Sequence, residues 1–434
     1  MAAATTPDVA PWPAPTARGR LAATVELPGS KSLTNRALIL ATLSVTSARV
    51  IAPLRARDTL LMASALRSLG ASIFQDGADW VVRPAELRGG AVDCGLAGTV
   101  MRFVPPIAAL AAGETVFDGD PHARTRPMNT LIDGLRQAGA AVDDRGSGRL
   151  PFTVLGRGSV AGGLVELDAS ASSQFVSGLL LAAARYDKGI EIQHVGGPLP
   201  SLPHIDMTVA MLRAAGVSVD DAIANRWLVS PGPIELRDTV VEPDLSNAAP
   251  FLAAALVAGG SVTVPRWPST TTQGGDALRA LLAEMGAAVS LTDGSLTVTG
   301  TGSIKPLVAD LHDVGELTPV LAALCALADG ESRLTGVEHI RGHETDRLTA
   351  LRTELAASGS DVEELSDGLV IRPSSLRPGR WRAYADHRMA QAGAVLGLAV
   401  PGIEIDDIAS TTKTMADFPG LWSSLVSQQE IPAG

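Results

Sequence analysis

Apolar positions along this chain keep a helical spacing that halts, five times over, at a glycine. Leu66-Arg-Ser-Leu-Gly-Ala-Ser-Ile73 returns as Leu135-Arg-Gln-Ala-Gly-Ala-Ala-Val142 and as Leu212-Arg-Ala-Ala-Gly-Val-Ser-Val219. Looser copies run Leu282-Ala-Glu-Met-Gly-Ala-Ala-Val289 and Leu355-Ala-Ala-Ser-Gly-Ser-Asp-Val362. The glycines, Gly70, Gly139, Gly216, Gly286 and Gly359, lie 69, 77, 70 and 73 residues apart. Glycine at such a place suits the left-handed backbone that closes a helix at its C-terminus. Each copy leads into a β-branched strand, a short polar turn and a second strand, and 291–299 and 363–371 read as hairpins around Asp-Gly.

A second helix, small and almost wholly apolar, is predicted at 100–112, 174–185, 246–258 and 316–328. The unit therefore reads β-α-β-α-β-β over about 70 residues. Five copies in 434 residues leave room for a sixth, divided between the two chain ends. Solenoids and propellers use shorter and more regular units, so helix-backed sheets in two groups of three fit better.

Polar clusters break the pattern where helices are predicted to begin. Pro28-Gly-Ser-Lys-Ser-Leu-Thr-Asn-Arg36 gathers Ser30, Lys31, Ser32, Asn35 and Arg36 ahead of the apolar run 37–41. Gly29 reads as a tight turn and the helix as starting near Ser32. Its unpaired N–H groups and positive dipole end then face the same anion as the lysine and arginine. A nucleotide P-loop is excluded, because Ser30 rather than glycine precedes Lys31. In Gly95-Leu-Ala-Gly98-Thr99, Gly98 lets a ligand approach the backbone. In Arg124-Thr-Arg126-Pro127, Pro127 reads as the first helical residue. That leaves Arg126 beside a helix N-terminus, unfavourable unless an anion bridges the two. Ser170, Ser172, Ser173 and Gln174 exceed what one N-cap needs, and Ser201 precedes a further helix. Glu242-Pro-Asp244-Leu-Ser246-Asn247 reads as a capping cluster at a domain crossover.

The C-terminal half adds Glu316, the run from His339 through His343 and Glu344 to Arg347, the cluster Asp386-His387-Arg388, and Thr411-Thr412-Lys413. His339 and His343 are four apart, but Gly342 interrupts a helix there and no HExxH order exists, so no metal site is indicated.

Composition narrows the function classes. A net charge of −11 with 3% aromatic residues opposes nucleic-acid binding, which needs a basic face and stacking rings. Cys94 and Cys325 are far apart and form no CxxC pair, which fits a reducing cytoplasm. The apolar runs are too short or interrupted to span a bilayer, and the proline-rich first twenty residues read as a loose tail rather than a signal peptide. Only Lys31, Lys188, Lys305 and Lys413 are lysines among 35 basic residues, which draws attention to those placed in polar clusters.

PGSKSLTNR, LAGTVMR, RTRP, SASSQF, SLPHID, GHETDR, DHRMA and TTK, spread from Pro28 to Lys413, together resemble the 5-enolpyruvylshikimate-3-phosphate synthases, enolpyruvyl transferases of the shikimate pathway. The resemblance implies an α/β (α+β) fold: a two-lobed inside-out α/β barrel of six βαβαββ repeats, three per lobe. One lobe would take 30–241 and the other 1–29 with 242–434, with the active site in the cleft between them. It also implies a cytoplasmic monomer without metal or cofactor. The reaction implied is transfer of the enolpyruvyl group of phosphoenolpyruvate to the 5-hydroxyl of shikimate 3-phosphate, through a tetrahedral ketal, with release of phosphate. By motif match, Lys31, Ser32, Arg36, Ser172, Ser173, Gln174, Ser201, Glu316, His339 and His343 would hold shikimate 3-phosphate. Lys31, Gly98, Arg126, Arg347, Arg388 and Lys413 would hold phosphoenolpyruvate. Glu316 would be the base toward the hydroxyl, with Lys31, Glu344, His387 and Lys413 serving proton delivery and phosphate departure.

Three positions depart from the family's common pattern: Leu96 for asparagine, Glu316 for aspartate and His343 for lysine. The last should make that position's charge pH-dependent near neutrality. The alternative is the sister transferase acting on UDP-N-acetylglucosamine. That family typically carries a reactive cysteine in the loop before its RP motif and an asparagine after the early lysine. Here 119–127 has no cysteine and Ser32 follows Lys31.

Overall fold

The computed structural model describes residues 10–430. One unit, residues 28–243, carries helices α1 Lys31–Leu43, α2 Arg57–Ser68, α3 Gly98–Ala108, α4 Asn129–Gln137, α5 Gln174–Ala183 and α6 Pro203–Ala214. The other, 10–27 with 244–430, carries α7 Ala249–Ala258, α8 Leu278–Glu284, α9 Thr318–Ala326, α10 Arg347–Ala357, α11 His387–Ala399 and α12 Phe418–Ser427.

The five repeated glycines close α2, α4, α6, α8 and α10, all with φ between +81° and +100°. Each closure is the same pair of backbone hydrogen bonds. Gly70 N–H donates to Arg67 O and Ala71 N–H to Leu66 O, and the other four glycines repeat it, down to Ser360 N–H on Leu355 O. A side chain at these glycines would be strained in that backbone, which is why the residue recurs.

The strands after each cap pair as the hairpin pattern requires. Arg88–Asp93 runs parallel to Ala112–Asp118, followed in the sheet by antiparallel Phe152–Arg157 and Ala141–Asp143. Gly163–Leu167, Ile190–His194, Arg226–Val229 and Val219–Asp220 repeat that order. The third sheet of this unit takes its first strand from the far end of the segment, Thr239–Val240 lying parallel to Ala48–Ile51. In the other unit, Arg20–Thr24 lies parallel to Gly260–Val264 in the same way. The sixth repeat is shared by the chain ends, Trp12–Pro13 pairing antiparallel with Ile403–Ile405.

Helices α3, α5, α7, α9 and α11 are buried along almost their whole length, and α1 beyond its first turn. A helix without a polar face belongs in a core. Each unit thus places three helices inside and its sheets outside, an inside-out α/β arrangement. The inner helices begin at the polar clusters, so packing fixes the backbone that presents them. Among the described residues no helix is long and apolar enough to cross a membrane.

Local starts differ from the sequence reading. Helix α1 begins at Lys31, with Ser30 accepting the Leu33 N–H at 3.4 Å. Helix α7 begins at Ala249 rather than 246, because Asp244 accepts the Asn247 N–H and holds a turn. Residues 312–317 form a 3-10 turn ahead of α9, so Glu316 lies on that turn rather than on the helix. Gly29 is not left-handed. It bridges Pro243, and a Cβ there would lie 2.4 Å from Ala52 O, so close backbone approach requires the glycine.

Candidate active site

In the unit of residues 28–243, the first turn of α1 presents Lys31 and Ser32, both half-buried. Lys31 Nζ lies 3.8 Å from Oδ2 of Asp58, a buried carboxylate in the first turn of α2. Arg36, one turn further, is 1% exposed. Its Nε donates to Thr208 Oγ1 at 2.8 Å, NH1 to Ser32 O at 3.1 Å, and NH2 to His204 O at 2.9 Å and Ser177 Oγ at 3.4 Å. Burial lowers its pKa to about 9. Arg36 therefore spends most of its donors tying α1 to α5 and α6.

Gly98 opens α3 at a convergence of polar groups. A Cβ there would sit 2.9 Å from Arg102 NH1, 3.2 Å from Arg126 NH1 and 3.4 Å from Gln174 Oε1. Arg102 donates to Gln174 Oε1 at 2.8 Å and lies over the Phe175 ring, 5.2 Å from its centroid. Arg126 is 8% exposed, and its Nε and NH1 are buried without a hydrogen bond. A buried guanidinium with idle donors is costly unless an anion completes it. Pro127 is not the first helical residue: α4 begins at Asn129, and Arg126 caps a 3-10 turn, Ala123–Thr125. Arg126 therefore stands beside Gly98 rather than at a helix N-terminus. Leu96, where asparagine was expected, is buried in the apolar core of this unit.

Ser173 precedes α5 and makes no capping bond, leaving its hydroxyl for other use, whereas Ser172 accepts the Gln174 N–H at 3.3 Å. Ser170 is occupied by Asp168 at 2.5 Å. Ser201 lies two residues before α6 with φ of 54°, a backbone that serine seldom adopts.

The other unit builds a charged cluster around Arg347, which has no solvent exposure. Its Nε and NH2 donate to the two oxygens of Asp386 at 2.7 and 3.2 Å, NH2 to Glu344 at 3.0 Å, and NH1 to Glu316 at 3.1 Å. NH1 also lies 2.9 Å from His343 Nδ1. Arg388 Nε stands 3.4 Å from Glu316 Oε2, while its NH1 donates to Ser246 O and Asn247 Oδ1. Lys413, 6% exposed, donates to Glu344. His387, 1% exposed, stands 3.6 Å from Asp386. Three cations thus face three carboxylates, all nearly buried except Glu316, whose side chain is 31% exposed. Burial pushes the Glu316 carboxyl up, but Arg347, His343 and Arg388 outweigh it and hold the group well below its ordinary range.

His339 and His343 approach with ring centroids 6.1 Å apart. Burial first, then Arg347, lowers His343 to about 3, against the opposing pull of Glu316 and Glu344. Burial first, then His312, lowers His339 to about 4. Both are neutral at neutral pH. The expectation that position 343 titrates near neutrality is therefore corrected: a charged imidazole there must give up water beside a fixed guanidinium.

Asp58 and Arg102 belong to these clusters and were not singled out from the sequence, whereas Asp386 and Asn247 were read there only as members of helix-start clusters. Arg102 had a signal, a lone charge inside the apolar run that begins at Val100. The partners of Asn247 had none, since its hydrogen bonds with Arg388 and Gln391 span more than 140 residues.

A family model described as EPSP synthase (3-phosphoshikimate 1-carboxyvinyltransferase) matches residues 15–422. Two solved structures of EPSP synthase from Acinetobacter baumannii are each 24% identical to this chain, with TM-scores of 0.78 and 0.77. Each match covers 94% of this chain and 97% of the other. The enolpyruvyl transferase NikO from Streptomyces tendae is 18% identical with a TM-score of 0.75, covering 94% of this chain and 96% of its own. At these identities the structural likeness is one of fold.

Proposed function

The chain belongs to the EPSP synthase family, and from that premise we propose which of its residues carry the reaction. The enzyme transfers the enolpyruvyl group of phosphoenolpyruvate to the 5-hydroxyl of shikimate 3-phosphate in the shikimate pathway. Phosphate is released.

Both substrates are multiply anionic, so each needs cations that are already oriented. Lys31, Gly98 and Arg126, together with Arg347, Arg388 and Lys413, are assigned to phosphoenolpyruvate. The buried, idle donors of Arg126 support its assignment. Ser32, Arg36, Ser172, Ser173, Gln174 and Ser201, with Glu316, His339 and His343, receive shikimate 3-phosphate. Arg36 serves chiefly by holding Ser32 and the helices behind the serines, since most of its donors are spent.

The observation that carries the mechanism is Glu316 lying against both Arg347 and Arg388. This carboxylate pairs with the cations assigned to phosphoenolpyruvate, and it is a poor base while they hold it. When the substrate takes over Arg347 and Arg388, Glu316 is released and its proton affinity rises. It then accepts the proton of the 5-hydroxyl as that oxygen bonds to C2 of phosphoenolpyruvate. A proton delivered to C3 from Lys31 or Lys413 completes the tetrahedral ketal. Loss of a C3 proton restores the double bond as the C2–O bond to phosphate breaks. The lysine left neutral by protonating C3 takes a proton back when C3 loses one, Glu344 orienting Lys413 throughout, and the proton held by Glu316 leaves with the phosphate, which His387 beside Asp386 serves. Every step is a proton transfer or an oxygen displacement, so the scheme calls for no redox group.

We place the enzyme in the cytoplasm as a monomer. Cys94 and Cys325, both buried free thiols, fit a reducing compartment. Phosphate release from phosphoenolpyruvate, assayed separately with shikimate 3-phosphate and UDP-N-acetylglucosamine, tests the acceptor. Release with only the first is expected, and release with only the sugar nucleotide would overturn the reading.

A further inference from the structure

Just before α11, the chain passes through two consecutive left-handed residues, Tyr384 with φ of 55° and Ala385 with φ of 54°. Neither is glycine, so both conformations are strained and persist only where neighbours hold them. The holding group is Glu354, on the third turn of α10 and 3% exposed. Its Oε1 accepts the Tyr384 hydroxyl at 2.5 Å, and its Oε2 accepts the Arg382 N–H at 3.0 Å. Ala383 N–H, between them, donates to Asp406 at 2.8 Å, and Asp386 N–H closes the turn on Ala383 O at 2.9 Å.

Glu354 stands seven residues after Arg347, two helical turns along α10 and on the same face, about 10 Å apart along the axis. That face grips the segment before α11 at both ends. Glu354 holds Arg382 and Tyr384, and Arg347 holds Asp386. Asp386 in turn accepts the Arg388 N–H at 2.8 Å as the N-cap of α11, which fixes where Arg388 leaves the helix. A buried carboxylate with both oxygens spent on one strained turn is more than packing requires. A well-packed apolar residue would fill the space without desolvating a charge.

We propose that Glu354 is a positioning residue for the transfer reaction: by holding the Arg382–Ala385 turn it sets where Asp386 meets Arg347 and where α11 presents Arg388. The functional side of this rests on the assignment of Arg347 and Arg388 to phosphoenolpyruvate. Glutamine at 354 can keep both bonds, its carbonyl accepting from Arg382 and its amide donating to the Tyr384 oxygen, whereas alanine keeps neither. Tyr384→Phe removes one bond at a half-buried site and serves as the milder variant.

The test combines kinetics with the side-chain Nε–H signal of Arg347, which its bond to Asp386 protects from exchange. In Glu354→Ala, that signal is expected to shift and exchange at least about tenfold faster, with KM for phosphoenolpyruvate up about tenfold and KM for shikimate 3-phosphate within about twofold. Tyr384→Phe should show smaller changes of the same sign, and Glu354→Gln should stay near the parent. If Glu354→Ala does not fold, the comparison of Tyr384→Phe with Glu354→Gln carries the test. An unchanged Arg347 signal in the bond-breaking variants overturns the proposal whatever the activity does. A changed signal with unchanged KM for phosphoenolpyruvate supports the positioning and overturns the substrate assignment instead.

Discussion

Arg347 and Asp386 form a two-pronged ion pair, 2.7 and 3.2 Å, with neither side chain exposed to solvent. Burial alone would lower the arginine's pKa, but Asp386, Glu316 and Glu344 together hold it above its ordinary value. Breaking such a pair leaves an uncompensated charge in a dry site. Asp386→Asn should therefore destabilise the unit carrying α7 to α12 by roughly 3 kcal/mol, read by urea unfolding. A loss below about 0.5 kcal/mol would mean that Glu316 and Glu344 suffice for Arg347.

Arg126 offers a second prediction. Its Nε and NH1, buried without a hydrogen bond, stand beside Gly98, the proposed reading gives them phosphoenolpyruvate, and a charged hydrogen bond contributes roughly 1.5–3 kcal/mol. Arg126→Ala should cut kcat/KM for phosphoenolpyruvate by about 10- to 100-fold while KM for shikimate 3-phosphate changes little. Equal losses for both substrates would contradict the assignment.

Gly98→Ala tests the same spot without touching a charge. The new methyl would meet Arg102 NH1 at 2.9 Å and Arg126 NH1 at 3.2 Å, so the guanidinium groups must shift. KM for phosphoenolpyruvate should rise several-fold, on the order of 1 kcal/mol, with little loss of stability. Unchanged kinetics would place the substrate elsewhere.

The histidines set an acid limit on stability. His343 lies near 3 and His339 near 4 in the folded chain, both below their ordinary value of 6.5. Between those values the unfolded chain binds more protons, so stability is full above 6.5 and falls as pH drops toward 3 or 4. Melting temperature should decline over that window, and His343→Gln should make the decline shallower. An identical slope in the variant would show that other groups govern it.

The repeat was legible because its punctuation is chemical: a helix closed by left-handed backbone needs glycine, and five helices close that way. Hairpins around Asp293-Gly294 and the apolar inner helices followed from local pattern too. Short strands that complete a sheet from far along the chain, such as Thr239–Val240 and Trp12–Pro13, carry no such mark, since two residues show no periodicity. At the site, residue types were readable but their partners were not. Arg36 turned inward, Arg126 met Gly98 rather than a helix end, and burial removed the charge expected at His343. Each outcome depends on which elements pack together, and local spacing does not contain that.

The measurement that most directly tests the proposed mechanism is the kinetics of Glu316→Gln. Removing this charge should free Arg347 and Arg388 for phosphoenolpyruvate while abolishing the base. The predicted result is a lower KM for phosphoenolpyruvate together with a kcat reduced by at least about 100-fold. A kcat near that of the parent would contradict the role of Glu316 as base, and a raised KM would contradict its displacement by the substrate.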